Sequence, residues 1–143
     1  MARTHAPAPA HLMPVAALLL LWQALLAADY VVTRFALGQV DWPQIMANLP
    51  LDALWLKVAW SLAVWLGFAA AFFLLIRDNA SVLLFFASGA AGLALAGGLI
   101  LAGASAPALP LHEPLSLLLA ALVVVPFLAW LYARALNRGD VLH

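Results

Sequence analysis

The chain has 143 residues, of which 68% are hydrophobic and only 8% are charged. A soluble domain ordinarily carries about a quarter charged residues, so this composition argues against a water-soluble fold and favours lipid as the solvent. Six basic residues balance six acidic ones, and cysteine is absent. This balance argues against nucleic acid as a partner, and the lack of cysteine excludes disulfides and thiolate chemistry.

Four apolar stretches are each long enough to cross about 30 Å of hydrocarbon as a helix. They run over Leu12–Leu37, Leu54–Ile76, Val82–Ala104 and Leu115–Ala135. Each is predicted to be helical, because backbone in lipid must satisfy its own hydrogen bonds and these runs lack the alternation of β-barrel strands. The sequence therefore predicts an all-α integral membrane protein. Its single domain, residues 1–143, would be an up-down-up-down bundle of four transmembrane helices.

The first span has some features of a secretory signal peptide, with Arg3 as its basic end. A cut after Ala28 would need a small residue three positions before it, but Leu26 stands there. Apolar sequence also resumes at once, from Tyr30 onward. We therefore expect the first span to stay in the membrane.

The cations in the connections indicate an orientation. Four of them fall on one side of the predicted bundle, namely Arg3, Arg77, Arg134 and Arg138. The other side has only Arg34 and Lys57. The positive-inside bias then predicts that both tails, residues 1–11 and 136–143, are cytoplasmic.

The connection between the first two spans, Gly38–Leu51, is too polar to cross the membrane. Its apolar residues nevertheless recur at helical spacing, and Asp41 with Gln44 has the pattern of a capping box. These apolar residues are Trp42, Ile45, Met46 and Leu49. The pattern predicts a short amphipathic helix on the outer face, and an irregular loop held by Trp42 is the alternative.

Small residues recur at every fourth position of the second and third spans, where they allow helix backbones to approach closely. The two stripes consist of Ala59, Ala63, Gly67 and Ala71, and of Ser88, Gly92 and Ala96. The two spans are joined so tightly that they must form an antiparallel hairpin. We predict that the stripes meet inside it, although Ala and Gly are common in membrane helices in any case.

One acid and one base lie inside the first two spans. At 1.5 Å of rise per residue, Asp29 lies roughly 6 Å and Lys57 roughly 10 Å outward of the bilayer centre. A charge at the centre costs at least about 2.5 kcal/mol unless it is paired or hydrated. We predict an ion pair between Asp29 and Lys57, with Arg34 competing for the carboxylate or extending to water. The alternative is a proton or substrate site at Asp29.

Catalytic and cofactor chemistry finds little support. Haem between helices would need embedded histidines, but all four lie outside the spans, namely His5, His11, His112 and His143. Two adjacent residues, His112 and Glu113, are too few to define a metal site. The embedded serines have no evident basic partner. We therefore expect no enzymatic activity, no cofactor and no bound metal.

Several segments carry a resemblance to a known family. They are Leu20–Gln23 with Asp29 and Tyr30, Trp60–Arg77 ending in Leu-Leu-Ile-Arg, Leu84–Ser88, and Trp130–Arg134 with Arg138 and Gly139. In these segments the chain resembles small four-helix inner-membrane proteins of proteobacteria, some of which are called sugar transporters. The resemblance implies the same topology and the inner membrane of a bacterium. The spans contain no cluster of polar residues that would hold the hydroxyls of a sugar.

Two functional hypotheses remain. The first is a non-enzymatic accessory or structural component, which acts in the lipid bilayer through contacts with other membrane proteins or with itself as a homo-oligomer. The second is a small dimeric transporter, similar in scale to the four-helix multidrug exporters, with Asp29 as the coupled carboxylate. A cation beside Asp29 would favour the charged carboxylate and so oppose proton exchange. The first hypothesis is therefore preferred.

Overall fold

The computed structural model describes residues 7–35, 37, 49, 51–103 and 113–142. Four α-helices follow one another along the chain: α1 Leu12–Arg34, α2 Leu54–Leu75, α3 Ala80–Gly103 and α4 Glu113–Arg138. All four are long and apolar enough to cross a membrane, and the described residues include no strand. The predicted all-α, four-span architecture is confirmed. The predicted amphipathic helix falls mainly on residues 38–48, which lie outside the described residues.

Neighbouring helices in sequence are neighbours in space, so α2 packs between α1 and α3, and α3 packs against α4. We call one end of the bundle the terminal face; it contains the start of α1, the α2–α3 turn and the end of α4. The opposite end, with the end of α1 and the start of α2, is the loop face.

The buried core consists of two layers, and every helix contributes to both. The layer nearer the terminal face includes Leu12 of α1, Leu74 of α2, Phe85 of α3 and Ala133 of α4. The layer nearer the loop face is built around Leu26, Val64, Leu95 and Leu122. Both ends of the bundle are therefore packed.

Two helix ends differ from the predicted boundaries by three residues, and four others differ by one or two. The first helix ends at Arg34, three residues before Leu37, because the chain turns there and the Leu37 N–H donates to the Val32 carbonyl, 3.2 Å away. The last helix continues to Arg138, beyond the predicted Ala135. Part of the expected tail 136–143 is therefore helical. Hydrophobicity marks the span, but polar residues can extend a helix beyond lipid.

Both helices that end at the terminal face use the same capping geometry. At the end of α2 the Asp78 N–H donates to the Phe73 carbonyl, 2.8 Å away, and at the end of α4 the Val141 N–H donates to the Leu136 carbonyl, 3.1 Å away. The residue before each donor is left-handed, with φ of 65° at Arg77 and 54° at Asp140. These are Schellman motifs in which a non-glycine residue occupies the left-handed position.

The end of α4 is joined to the α2–α3 turn. Arg77 donates to the Val141 carbonyl oxygen from Nε, 3.2 Å away, and from Nη2, 2.9 Å away. Val141 and Leu142 are both buried and belong to the terminal-face core. The segment after α4 is therefore part of the packed structure. The turn is further ordered by Asp78, whose Oδ1 accepts from the Ala80 N–H, 2.7 Å away, at the start of α3.

Candidate functional site

The polar groups of α1 are concentrated where this helix meets α2. Gln23 and Asp29 are only 1% and 5% exposed, although both lie within a membrane-spanning helix. The Trp22 Nε1, both amide atoms of Gln23 and the Thr33 hydroxyl are buried without a hydrogen-bond partner. In an apolar environment each such group costs about 1–3 kcal/mol. This interface is therefore an energetically costly part of the bundle and a candidate functional site.

Gln23 is the middle residue of α1 and lies directly over Gly67 of α2. A Cβ atom added at Gly67 would lie only 2.6 Å from the Gln23 Oε1. The absent side chain at position 67 is thus what makes room for the amide. A single glutamine at the centre of an apolar span was a sequence signal for this contact, and only the structure identifies its neighbour.

A small pocket opens where the loop-face ends of α1 and α2 meet. Its volume is about 130 Å³, and its lining residues are Tyr30, Thr33, Arg34, Leu51, Lys57 and Trp60. The rings of Tyr30 and Trp60 pack edge to face, with their centroids 4.7 Å apart. Two of the three predicted ion-pair residues, Arg34 and Lys57, therefore line one pocket. Asp29 is buried one residue before Tyr30, and its ion pair with Lys57 stays a prediction.

The predicted packing residues lie mostly in the interior, and their contacts reach three helices. The Ser88 hydroxyl donates to the Ala63 carbonyl, 2.7 Å away, which joins α3 to α2 within the hairpin. Gly67 faces Gln23 of α1, whereas a Cβ at Gly92 would lie 2.7 Å from the Leu122 carbonyl oxygen of α4. Ala59, Ala71 and Ala96 complete the two stripes; the first two are buried and Ala96 is half-buried. The small residues therefore also admit the two outer helices.

Comparison with protein-family models, curated proteins and solved structures gives no match. Among the described residues, no group of three or more His, Asp or Glu side chains is placed to hold a metal ion.

A second cavity lies between α1 and α4. It has a volume of about 300 Å³ and is almost wholly apolar; its lining residues are Val15, Leu19, Val125, Leu128, Ala129 and Tyr132. The Tyr132 hydroxyl is buried without a hydrogen-bond partner, and the Tyr132 and His11 rings lie 5.8 Å apart. We call this cavity the α1–α4 crevice. Hydropathy could not predict it, because it depends on the gap between two helices remote in sequence.

An aromatic group covers part of the surface of α3 and α4 near the terminal face. Phe86 and Trp130 lie 5.4 Å apart between ring centroids, and Phe127 contacts both rings. The Arg134 guanidinium lies 5.3 Å from the Trp130 ring centroid. A cation over a tryptophan is suited to the boundary between lipid and water, so this group fits an anchoring role.

Proposed function

We propose that the protein is a non-enzymatic component of a bacterial inner membrane that acts by binding another membrane protein. Its termini lie in the cytoplasm, as the distribution of arginines indicates. The observation that supports the proposal is the α1–α4 crevice, an apolar cavity of about 300 Å³. Side chains from a neighbouring helix fit such a cavity, because helices in lipid associate by close packing and occasional hydrogen bonds.

Tyr132 supports a protein occupant of the crevice. Its hydroxyl is buried without a partner, and buried tyrosine hydroxyls normally make a hydrogen bond. The hydrocarbon tail of a lipid offers no acceptor, whereas a helix can present a carbonyl, hydroxyl or amide oxygen. A partner helix would therefore fill the cavity and, once the Tyr132 side chain turns toward it, also supply the acceptor.

Site-specific photo-crosslinking in native membranes tests the proposal. A photoreactive residue at Leu128, which lines the crevice and is 60% exposed, should yield one discrete adduct with another protein. The matched control is Leu83 of α3, which is 71% exposed and should give only lipid adducts. Equal protein labelling at the two positions, or lipid adducts alone at Leu128, would contradict the proposal. The mass of the adduct distinguishes a second copy from a different protein.

A transporter is the second candidate, and the α1–α2 interface is the observation that favours it. Unpartnered polar atoms extend from Gln23 at the middle of α1 to Thr33 near the loop face, with buried Asp29 between them. Buried polar groups within a membrane often mark substrate or ion paths. A proton-coupled transporter in liposomes should move protons down an imposed gradient in the presence of its substrate, and Asp29→Asn should abolish this movement. Failure of a substrate panel to elicit any flux would favour the accessory component.

A further inference from the structure

We propose that the pocket between the loop-face ends of α1 and α2 binds a phosphate group. Six residues from both helices and the preceding segment line it. This inference does not depend on a partner at the α1–α4 crevice, which lies on other residues.

The charge of the pocket is the first argument. Arg34 comes from the last turn of α1 and Lys57 from near the start of α2. The four other lining residues are Tyr30, Thr33, Leu51 and Trp60, none of which is acidic. Both side chains are exposed to solvent, so a single anion entering the pocket can contact both positive charges. Arginine and lysine are also the side chains that most often bind phosphate.

The position of Lys57 strengthens this argument. It is the fourth residue of α2, close to a helix end that carries a partial positive charge and normally favours acids. The N-terminal residue before α2 is Ala53, which makes no side-chain cap hydrogen bond. A lysine at an uncapped positive helix end is electrostatically unfavourable in an empty pocket and favourable when an anion is bound.

The pocket also contains an unused hydrogen-bonding group. Thr33 lines it, and the Thr33 hydroxyl is buried without a partner. A phosphate oxygen accepts from hydroxyl, ammonium and guanidinium groups alike. The same ligand would therefore contact both cations and, once the Thr33 side chain turns toward the pocket, accept from the hydroxyl as well.

Size and location narrow the class of ligand. At about 130 Å³ the pocket is smaller than the 300 Å³ or more of typical ligand sites, so it fits one small group and not a whole sugar. It lies beside Tyr30 and Trp60, aromatic residues of the kind that occupy the level of lipid headgroups. Phospholipids and soluble phosphate compounds both carry such a group. The acids nearest in sequence are Asp29, which is buried, and Asp52, which is exposed to solvent.

Native mass spectrometry and competition test the proposal on the full chain in detergent. The probes are phosphatidylglycerol, the corresponding diacylglycerol without phosphate, and glycerol phosphate as a soluble competitor. We expect the protein to retain phosphatidylglycerol and not diacylglycerol, and R34Q or K57Q to weaken this binding about tenfold each. T33V, which keeps the side-chain shape, should weaken it by a smaller factor. The matched control R138Q removes an exposed cation from the opposite end of the bundle and should leave binding unchanged.

The outcomes separate the two sources. Displacement of the lipid by glycerol phosphate at low concentration, or glycerol phosphate binding without lipid binding, would identify a soluble ligand; lipid binding that resists the competitor would identify the headgroup. Equal retention of diacylglycerol, or equal loss in R138Q and K57Q, would overturn the proposal. R34K and K57R keep the charges and should retain most of the binding. Size-exclusion chromatography of the glutamine variants shows separately whether they are still folded.

Discussion

Arg77 donates two hydrogen bonds to the carbonyl oxygen of Val141, a residue 64 positions further along the chain. The donor occupies the left-handed position that ends α2, and the acceptor follows the left-handed residue that ends α4. One arginine therefore joins the caps of two helices. The contact fixes the segment after α4 against the α2–α3 turn.

Replacing Arg77 should release the segment after α4. Arg77→Ala removes both hydrogen bonds and leaves a non-glycine residue at a φ of 65°, so we expect a loss of about 1–3 kcal/mol in unfolding free energy. Arg77→Gly loses the same hydrogen bonds but relieves about 1 kcal/mol of backbone strain, and should be the milder change. Unfolding in a detergent and denaturant series measures both. If the alanine variant is as stable as the wild type, the contact contributes nothing.

Gly92 and Gly97 lie on the same helix and should respond oppositely to alanine. A Cβ at position 92 would lie 2.7 Å from the Leu122 carbonyl oxygen, whereas a Cβ at position 97 meets nothing within 4 Å. We expect Gly92→Ala to cost about 1–3 kcal/mol by forcing α3 and α4 apart. Gly97→Ala should be neutral or stabilising by up to about 1 kcal/mol, because alanine favours helix. Thermal unfolding in detergent compares them, and equal shifts would contradict the packing of α4 on Gly92.

Gln23 and Gly67 should show strong energetic coupling. Gly67→Ala places a methyl group 2.6 Å from the Gln23 Oε1, at the end of a flexible side chain. The buried amide must then turn aside within the core, and we expect this displacement to cost more than the roughly 1 kcal/mol that alanine gains in a helix. In a Gln23→Ala background the amide is absent and the same substitution should cost much less. A double-mutant cycle on unfolding free energy measures the difference, for which about 1 kcal/mol or more is expected. Additive effects would mean that the two residues do not meet.

The predicted ion pair of Asp29 and Lys57 is open to the same kind of test. Asp29→Asn and Lys57→Gln should each destabilise the protein if the two charges interact directly, and the double variant should lose less than the sum of the two. A second cycle with Asp29→Asn and Arg34→Gln measures whether Arg34, in place of Lys57, interacts with the Asp29 carboxylate. Strict additivity in the Asp29 and Lys57 cycle would leave burial of Asp29 to be explained by other contacts.

The four spans were predictable because helix length and apolarity follow directly from the thickness of the bilayer. Contacts between the helices were predictable only in part. The hydrogen bond from Ser88 to Ala63 joins the two stripes. Gly67 and Gly92 instead face α1 and α4, since hydropathy does not fix the rotation of a helix about its own axis. No periodic pattern in the sequence predicts the hydrogen bonds from Arg77 to Val141, because they join two turns that meet only in the folded bundle.

The contact at the middle of α1 restricts how the first two helices can move. Sliding α1 by one helical turn, about 5.4 Å, would carry the Gln23 amide from Gly67 to the level of Ala63 or Ala71, where a methyl group occupies the space. Gly67 thus leaves room for the Gln23 amide in only one alignment of α1 along α2. A conformational change that translates α1 along α2 must first move the Gln23 side chain out of this space. A change that only tilts α1 about its contact with Gly67 leaves the side chain in place.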